Sequence, residues 1–130
     1  MRARQNISSG MKMEATVGYS RAVRVGAHVW VAGTTAVDDN QQIVGPGDAY
    51  AQARFIFQKI ERALQAAGAS MKDVVRTRMF VTDISQQGEV GRAHAEFFLD
   101  VKPCATMVAI PALVNPEMLV EIEVDAYVEP

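Results

Sequence analysis

The clearest hydrophobic pattern in the chain is a strict alternation near its C-terminal end. Apolar side chains occupy every second position, at Met118, Val120, Ile122, Val124, Ala126 and Val128. A period of two predicts a β-strand with one apolar face that lies on a core. Glu121, Glu123 and Asp125 fall between these positions and therefore point away from that core.

Shorter patterns predict a hairpin followed by a helix. Residues 22–25 and 28–32 alternate on either side of a Gly-Ala pair, which is typical of two strands joined by a tight turn. Over residues 49–67 the period changes, and apolar side chains recur at steps of three and four, as on one face of a helix. Asp48 suits the N-cap of this helix and Gly68 its C-terminal stop.

The remaining patterns predict a strand over residues 74–81, a second helix over residues 86–98 and a further strand between that helix and the last one. One face of the first of these strands carries four residues at alternate positions: Val74, Arg76, Arg78 and Phe80. Both this face and the outward face of the last strand combine apolar and charged side chains. Ion pairs between the arginines of the one and the carboxylates of the other, within a chain or between subunits, are one explanation of these charges. The element order predicts an α+β fold, with both helices on one face of a sheet.

Composition narrows the picture to one domain spanning residues 1–130. About half of the 130 residues are apolar, enough for a sizeable core, yet no run reaches the roughly 18 apolar residues of a membrane span. The N-terminus lacks the apolar centre of a signal peptide, and a lone cysteine fits a reducing compartment, so we expect a cytoplasmic protein away from membranes. A net charge of −2 argues against binding to nucleic acid.

Two segments in the last third of the chain carry a family resemblance. Lys102–Val108 reads Lys-Pro-Cys-Ala-Thr-Met-Val, and residues 118–126 contain the run Val-Glu-Ile-Glu. Together they resemble the C-terminal signature of the Rid (YjgF, reactive-intermediate deaminase) family, and residues 17–20, 29–34, 51–69 and 73–83 match its other segments in order and spacing. The resemblance implies a chorismate-mutase-like fold, in which three subunits pack their sheet faces around a central barrel and form a ligand pocket at each interface.

The resemblance also exposes a departure at the residue that defines the family's chemistry. In deaminating relatives an arginine of this signature holds the substrate carboxylate, but Ala105 occupies that position here, and a methyl group cannot replace a guanidinium. Glu121 matches the glutamate that helps to position the attacking water, so it is the catalytic candidate. The alternative for Glu121 is an interfacial ion pair with an arginine.

Four other residues are candidates for ligand binding. The resemblance gives Tyr19 the role of a ring that covers the ligand and Gly33 that of a backbone approached closely by it, although a turn or packing role suits both. Cys104 lies beside the missing arginine, where a small apolar residue on a turn is the simpler interpretation. Arg92 is a candidate replacement cation, against the alternative of an ordinary surface arginine. The sequence predicts no metal site and no cofactor.

Three functions follow, in decreasing order of support. The first is an enzyme that hydrolyses an imine or enamine in clefts of a homotrimer, but one distinct from a generic 2-imino acid deaminase because of Ala105. The second is a non-catalytic protein that binds a small metabolite in the same clefts. The third, an endoribonuclease or translation inhibitor, lacks a basic groove and a pair of neighbouring histidines, since the chain has only His28 and His94.

Overall fold

The computed structural model describes residues 4–130, and its central feature is a six-stranded sheet. The strands are β1 Gln5–Ile7, β2 Ala22–Val25, β3 His28–Thr34, β4 Val74–Val81, β5 Cys104–Ala109 and β6 Val120–Tyr127. Their order in the sheet is β1-β2-β3-β6-β4-β5. The β4–β5 pair is parallel and the other pairs are antiparallel, so the sheet is mixed.

Three helices accompany the sheet: α1 Lys12–Val17, α2 Ala49–Ala66 and α3 Gln87–Phe98. Short 3₁₀ turns at Met71–Asp73 and Ile84–Gln86 precede β4 and α3. The Asp48 side chain accepts a hydrogen bond from the Ala51 backbone N–H at 3.0 Å, which confirms the predicted N-cap of α2.

The core lies between one face of the sheet and the pair α2 and α3. The alternating apolar side chains of β6 are buried there against the apolar stripe of α2, which includes Ile56, Phe57, Ile60 and Leu64. All four side chains are fully buried, and truncating any such leucine, isoleucine or phenylalanine to alanine typically costs about 2–5 kcal/mol. This packing fixes β6, and with it the direction in which the residues on its other face point.

The α+β class is confirmed, but the structure adds two elements that the sequence patterns did not predict. β1 is only three residues long and α1 only six, so neither is long enough to show a hydrophobic period. Within residues 4–130, no helix combines the length and the apolar character that crossing a membrane requires.

A bulge in β4 corrects the predicted face of Val74. Val74 pairs with Ala126 and Arg76 pairs with Asp125, so two residues of β4 stand opposite one residue of β6. The extra residue turns Val74 into the core, where it is 3% exposed, while Val75 is left at the surface. Arg78 remains on the free face, where its Nη1 lies 3.4 Å from a carboxylate oxygen of Glu123 and 3.4 Å from one of Asp125. The predicted ion pairs of Glu123 and Asp125 are thus formed within one chain.

Candidate functional site

A cavity of about 400 Å³ opens beside the end of β3 and the start of β6. Its walls come from the segment between β1 and α1, the end of β3 with the loop that follows, one side of α2, and the loop that precedes β6. Tyr19, Gly33 and Glu121 all line it, so the structure brings together three of the residues that the sequence singled out.

The position of Glu121 depends on an irregularity in β3. Val31 pairs with Val124 and Thr34 pairs with Ile122, so β3 carries one extra residue at this point. Such a bulge locally bends a strand and redirects its side chains. Gly33 lies in the bulge, and a Cβ atom added to it would lie 2.6 Å from Oε2 of Glu121. The missing side chain at residue 33 therefore makes the space that the carboxylate occupies.

Glu121 differs in its surroundings from the other two carboxylates of its strand. Within residues 4–130 the structure gives it no salt bridge, whereas Glu123 and Asp125 both pair with Arg78. Burial raises the pKa of the Glu121 carboxyl above its ordinary value; the charge of Arg21 opposes this shift and that of Glu123 adds to it. A glutamate with a raised pKa is a stronger base once it is ionised.

Arg21 provides a cation in the same cavity. Its backbone N–H donates to Ile7 O at 2.7 Å and its carbonyl accepts from the Ala32 N–H at 3.0 Å, so the residue is fixed between β1 and β3. The guanidinium Nη2 donates to the carbonyl oxygen of Gly33 at 2.6 Å. Nε is fully buried and has no hydrogen-bond partner among the described residues.

Helix α1 leads to Tyr19, which lines the cavity, and carries a buried carboxylate, Glu14, that is bonded to the lining residues Ser8 and Ser9. The helix ends at Val17, and its C-cap residue Gly18 has a φ of +92°, a left-handed conformation that glycine adopts without strain; Tyr19 follows with its ring at the surface. Burial alone would raise the pKa of Glu14, but hydrogen bonds from Ser9 and Ser8 and the charge of Arg21 lower it below the ordinary value. Glu14 is therefore an anion already satisfied by its own segment.

Lys59 of α2 is a second cation that lines the cavity. Its ammonium group donates to the carbonyl oxygens of Thr35 at 3.0 Å and Val37 at 2.9 Å, which ties the loop after β3 to the helix. Burial, together with the neighbouring charges of Arg21 and Arg62, lowers the pKa of Lys59 to about 8.

Within one chain, the other predicted site residues do not line this cavity. Cys104 and Ala105 are exposed on β5, where Ala105 pairs with Thr77 of β4. Arg92 is on the surface of α3, with its guanidinium 3.6 Å from the centroid of the Tyr50 ring and Nη2 donating to Glu89 at 3.1 Å. Within one chain, Glu121, Tyr19 and Gly33 therefore line the same cavity, and the segment that carries Ala105 lies outside it.

Three cations line the cavity, Arg21, Lys59 and Arg62, and the sequence patterns singled out none of them. Lys59 follows Ile56 by three residues and precedes Ala63 by four, so helical geometry alone places it at the border of the apolar stripe of α2. Arg21 had no comparable signal, because it stands just before β2 in a segment with no clear period. Only the pairing of its backbone with β1 and β3 turns it toward the cavity.

The fold and the cavity together define an α+β protein of the chorismate-mutase-like class with a pocket large enough for a small molecule. A family model described as Endoribonuclease L-PSP matches residues 10–128. The chain therefore belongs to this family, which is the Rid or YjgF family that the motifs indicated.

Individual relatives support the same assignment. A YjgF-family protein from Mycobacterium tuberculosis with a solved crystal structure shares 51% sequence identity with this chain. The two structures superpose with a TM-score of 0.87 over 96% of this chain and 99% of that chain. An uncharacterised protein of Streptomyces coelicolor is 35% identical over 123 residues, which is 95% of this chain and 91% of that protein. The 3-aminoacrylate deaminase RutC of Acinetobacter baylyi is 34% identical over 110 residues, covering 85% of this chain and 86% of RutC.

Proposed function

We propose that this protein hydrolyses a reactive imine or enamine, with Glu121 as the group that positions and deprotonates the attacking water. The observation that carries the proposal is the environment of the Glu121 carboxylate. It lies in a cavity beside Gly33, its pKa is raised by burial, and no cation within salt-bridge distance neutralises it in the described part of the chain. The alternative role for Glu121 is an ion pair with an arginine across a subunit interface; within one chain, Arg78 pairs with Glu123 and Asp125 and not with Glu121.

The chemistry requires one base that can later act as an acid. Water attacks the carbon of a protonated imine while the Glu121 carboxylate takes a proton from it, which gives a neutral carbinolamine. The protonated carboxyl then donates that proton to the nitrogen, the C–N bond breaks, and ammonia leaves as the carbonyl forms. The remaining hydroxyl proton returns to solvent, so the sum is imine plus water giving ammonia and a carbonyl compound. An enamine enters the same sequence after protonation at carbon.

We further propose that the working unit is a homotrimer whose clefts lie between subunits. The resemblance implies this assembly, and the positions of Ala105 and Cys104 on an exposed edge strand suit residues that complete the cavity of a neighbouring subunit. Tyr19 and Gly33 then line the same cleft from the side of Glu121. The free sheet face exposes Trp30 and Tyr127, which are large side chains to leave in contact with water.

A similarity to one named enzyme supports the reaction class. The name of RutC describes a 3-aminoacrylate deaminase, an enzyme that acts on an enamine, and RutC is 34% identical to this chain. Ala105 separates this protein from relatives that hold a 2-imino acid by an arginine at that position. A charge-assisted bidentate pair contributes roughly 1.5–3 kcal/mol, so a small 2-imino acid bound in that manner loses roughly 10- to 150-fold in affinity.

Ala105 also supports a second candidate, a protein that binds a small metabolite in these clefts without converting it. This function needs the cavity but not the basicity of Glu121. The two candidates differ in one measurable respect. An enzyme would turn over an imine in a reaction that depends on the Glu121 carboxylate, and a binding protein would show no turnover.

The test is hydrolysis of imines released in solution from a series of amino acids by an amino-acid oxidase, measured as loss of imine trapping by semicarbazide. Glu121→Gln keeps the size of the side chain and removes the base, and Glu123→Gln is the matched control two residues along the same strand. We expect Glu121→Gln to lower turnover on the order of 10²-fold or more, and Glu123→Gln to retain it within a few fold.

Equal activity in the two variants would exclude Glu121 as the base. Absence of turnover in the parent protein with every imine of the series, combined with saturable binding of the carbonyl products, would instead establish the binding function. Thermal unfolding of all three proteins separates loss of the base from loss of the fold.

A further inference from the structure

Arg21 is a partly buried cation whose hydrogen-bonding capacity is largely unused. A guanidinium has five N–H donors, and the structure gives that of Arg21 one bond, from Nη2 to the Gly33 carbonyl. Its Nε is completely shielded from solvent and has no acceptor among residues 4–130. A buried donor without a partner typically costs about 1–3 kcal/mol. Because Nε has no accessible surface, the donors that would meet a ligand are the remaining N–H groups on the terminal Nη atoms of this cavity-lining side chain.

The anions of the protein do not fill this role. Glu14 is held by Ser8 and Ser9, and within the described residues no carboxylate lies within 4.0 Å of the Arg21 guanidinium. Glu121 influences Arg21 through its charge without contacting it at that distance. Lys59, the other cation with buried contacts, already donates to two backbone carbonyls. Arg62 also lines the cavity, but it is largely exposed and its Nη1 lies 3.9 Å from the Asp39 carboxylate. Arg21 is therefore the partly buried cation of the cavity that has donors left for an anion.

The rest of the lining is largely apolar and larger than a three-carbon acid needs. Met11, Met13, Leu113, Val114 and Met118 all line the cavity. At about 30 Å³ for an atom group the size of a water molecule, a cavity of about 400 Å³ holds roughly a dozen non-hydrogen atoms. A planar anion at Arg21 would leave most of that volume to the apolar side chains.

We propose that Arg21 binds the carboxylate of the ligand and that the apolar residues of the cavity bind a hydrocarbon portion of it, so that the ligand is an acid with an extended apolar chain. This inference rests on the proposed function, because it names the substrate class of the same site. It also assigns the carboxylate to a different wall from the position of Ala105.

The experiment is calorimetric titration of the parent protein with carbonyl compounds that resemble the products of hydrolysis. Pyruvate, 2-oxohexanoate and 2-oxooctanoate vary the chain length, and 2-oxohexanamide removes the charge at constant length. We expect 2-oxohexanoate to bind roughly 10- to 150-fold more tightly than its amide. Each added methylene should strengthen binding by up to about fourfold, so pyruvate should bind most weakly.

Variants then locate the anion. Arg21→Gln should remove the preference of acid over amide, and Arg21→Lys should retain part of it because the charge remains. Arg24→Gln is the matched control, since Arg24 follows three residues later and donates to Gly26 and Ala67 outside the cavity. Arg92→Gln tests the competing cation on α3. Equal binding of acid and amide by the parent would overturn the proposal even if Arg21→Gln failed to fold.

Two further results would also overturn it. Loss of the acid preference in Arg92→Gln but not in Arg21→Gln would move the anion site to α3, and affinity independent of chain length would exclude the apolar lining from the ligand site. Failure of the hydrolysis proposal gives a different pattern. Binding that depends on Arg21, in a protein with no Glu121-dependent turnover, would keep this assignment and refute the enzyme.

Discussion

Replacing Gly33 by alanine tests whether the space beside β3 exists for the Glu121 carboxylate. The new Cβ would lie 2.6 Å from Oε2, 3.0 Å from Cδ and 3.3 Å from Cγ of Glu121. Carbon and oxygen do not approach to 2.6 Å, and the atoms in the way belong to the end of a flexible side chain. We therefore expect Glu121 to move rather than the sheet.

The magnitudes predict a small loss of stability and a large loss of activity. Holding a side chain about 30° from a rotamer costs roughly 0.5–1.5 kcal/mol, and an alanine offsets about 0.4–1 kcal/mol of this by restricting the unfolded chain. The free energy of unfolding should thus fall by at most about 1 kcal/mol. A displacement of the proposed base, Glu121, by about 1 Å can cost on the order of 10²-fold in rate, which the semicarbazide assay would detect.

Two controls make this prediction strict. Gly88→Ala introduces the same group in α3, where a Cβ meets no atom within 4 Å, and it should leave turnover unchanged. In a Glu121→Asp background the carboxylate is one methylene shorter, so Gly33→Ala should no longer destabilise the protein. An unchanged rate in Gly33→Ala, or the same loss of stability in both backgrounds, would show that the contact with Glu121 is not what glycine at residue 33 preserves.

Three further predictions use other features of the molecule. Light scattering at micromolar concentration should give three times the 14.2 kDa chain mass, and a monomer would refute the intersubunit cleft. Because of Ala105, turnover of 2-iminopropionate should be at least an order of magnitude slower than in a relative with arginine there; comparable rates would contradict the argument. The raised pKa of Glu121 makes its ionised form less favourable in the folded state, so hydrolysis should decline as the pH falls through that pKa, and Glu121→Gln should stabilise the protein at pH 7 but not at acidic pH. A lower free energy of unfolding for Glu121→Gln than for the parent protein at pH 7 would be opposite in sign to this expectation and would contradict the raised pKa of Glu121.

The sequence predicted those elements whose own pattern is long enough to be unambiguous. The alternation of β6 and the apolar stripe of α2 each extend over several repeats, and the helices pack on the face that β6 predicts. The error at Val74 has a local cause. A bulge inserts one residue and exchanges the two faces of a strand, and nothing in the sequence around Val75 signals it.

The site was predictable where one residue is recognised through a motif and unpredictable where two segments must meet. Glu121 and Gly33 were identified separately, but their contact depends on the irregular pairing of β3 with β6. Arg21 becomes a cavity residue only because β1, which is three residues long, pairs with β2. The carbonyl oxygen of Ile7 in β1 then accepts a hydrogen bond from the backbone N–H of Arg21. Such a contact follows from the tertiary fold and leaves no period in the sequence.

The edge strand β5 also protects the protein against aggregation. β4 is eight residues long, and its side chains Met79 and Val81 are buried in the core. If β4 formed the edge of the sheet, it would offer a long row of free backbone groups to any other unfolded chain. β5 covers six of these residues in parallel register and is itself shorter, and it is preceded by Lys102 and Pro103, two residue types that discourage further strand pairing. Deleting β5 would therefore exchange a short, guarded edge for a long, apolar one, and a chain that lacks this strand but keeps β6 should be recovered mainly as insoluble material.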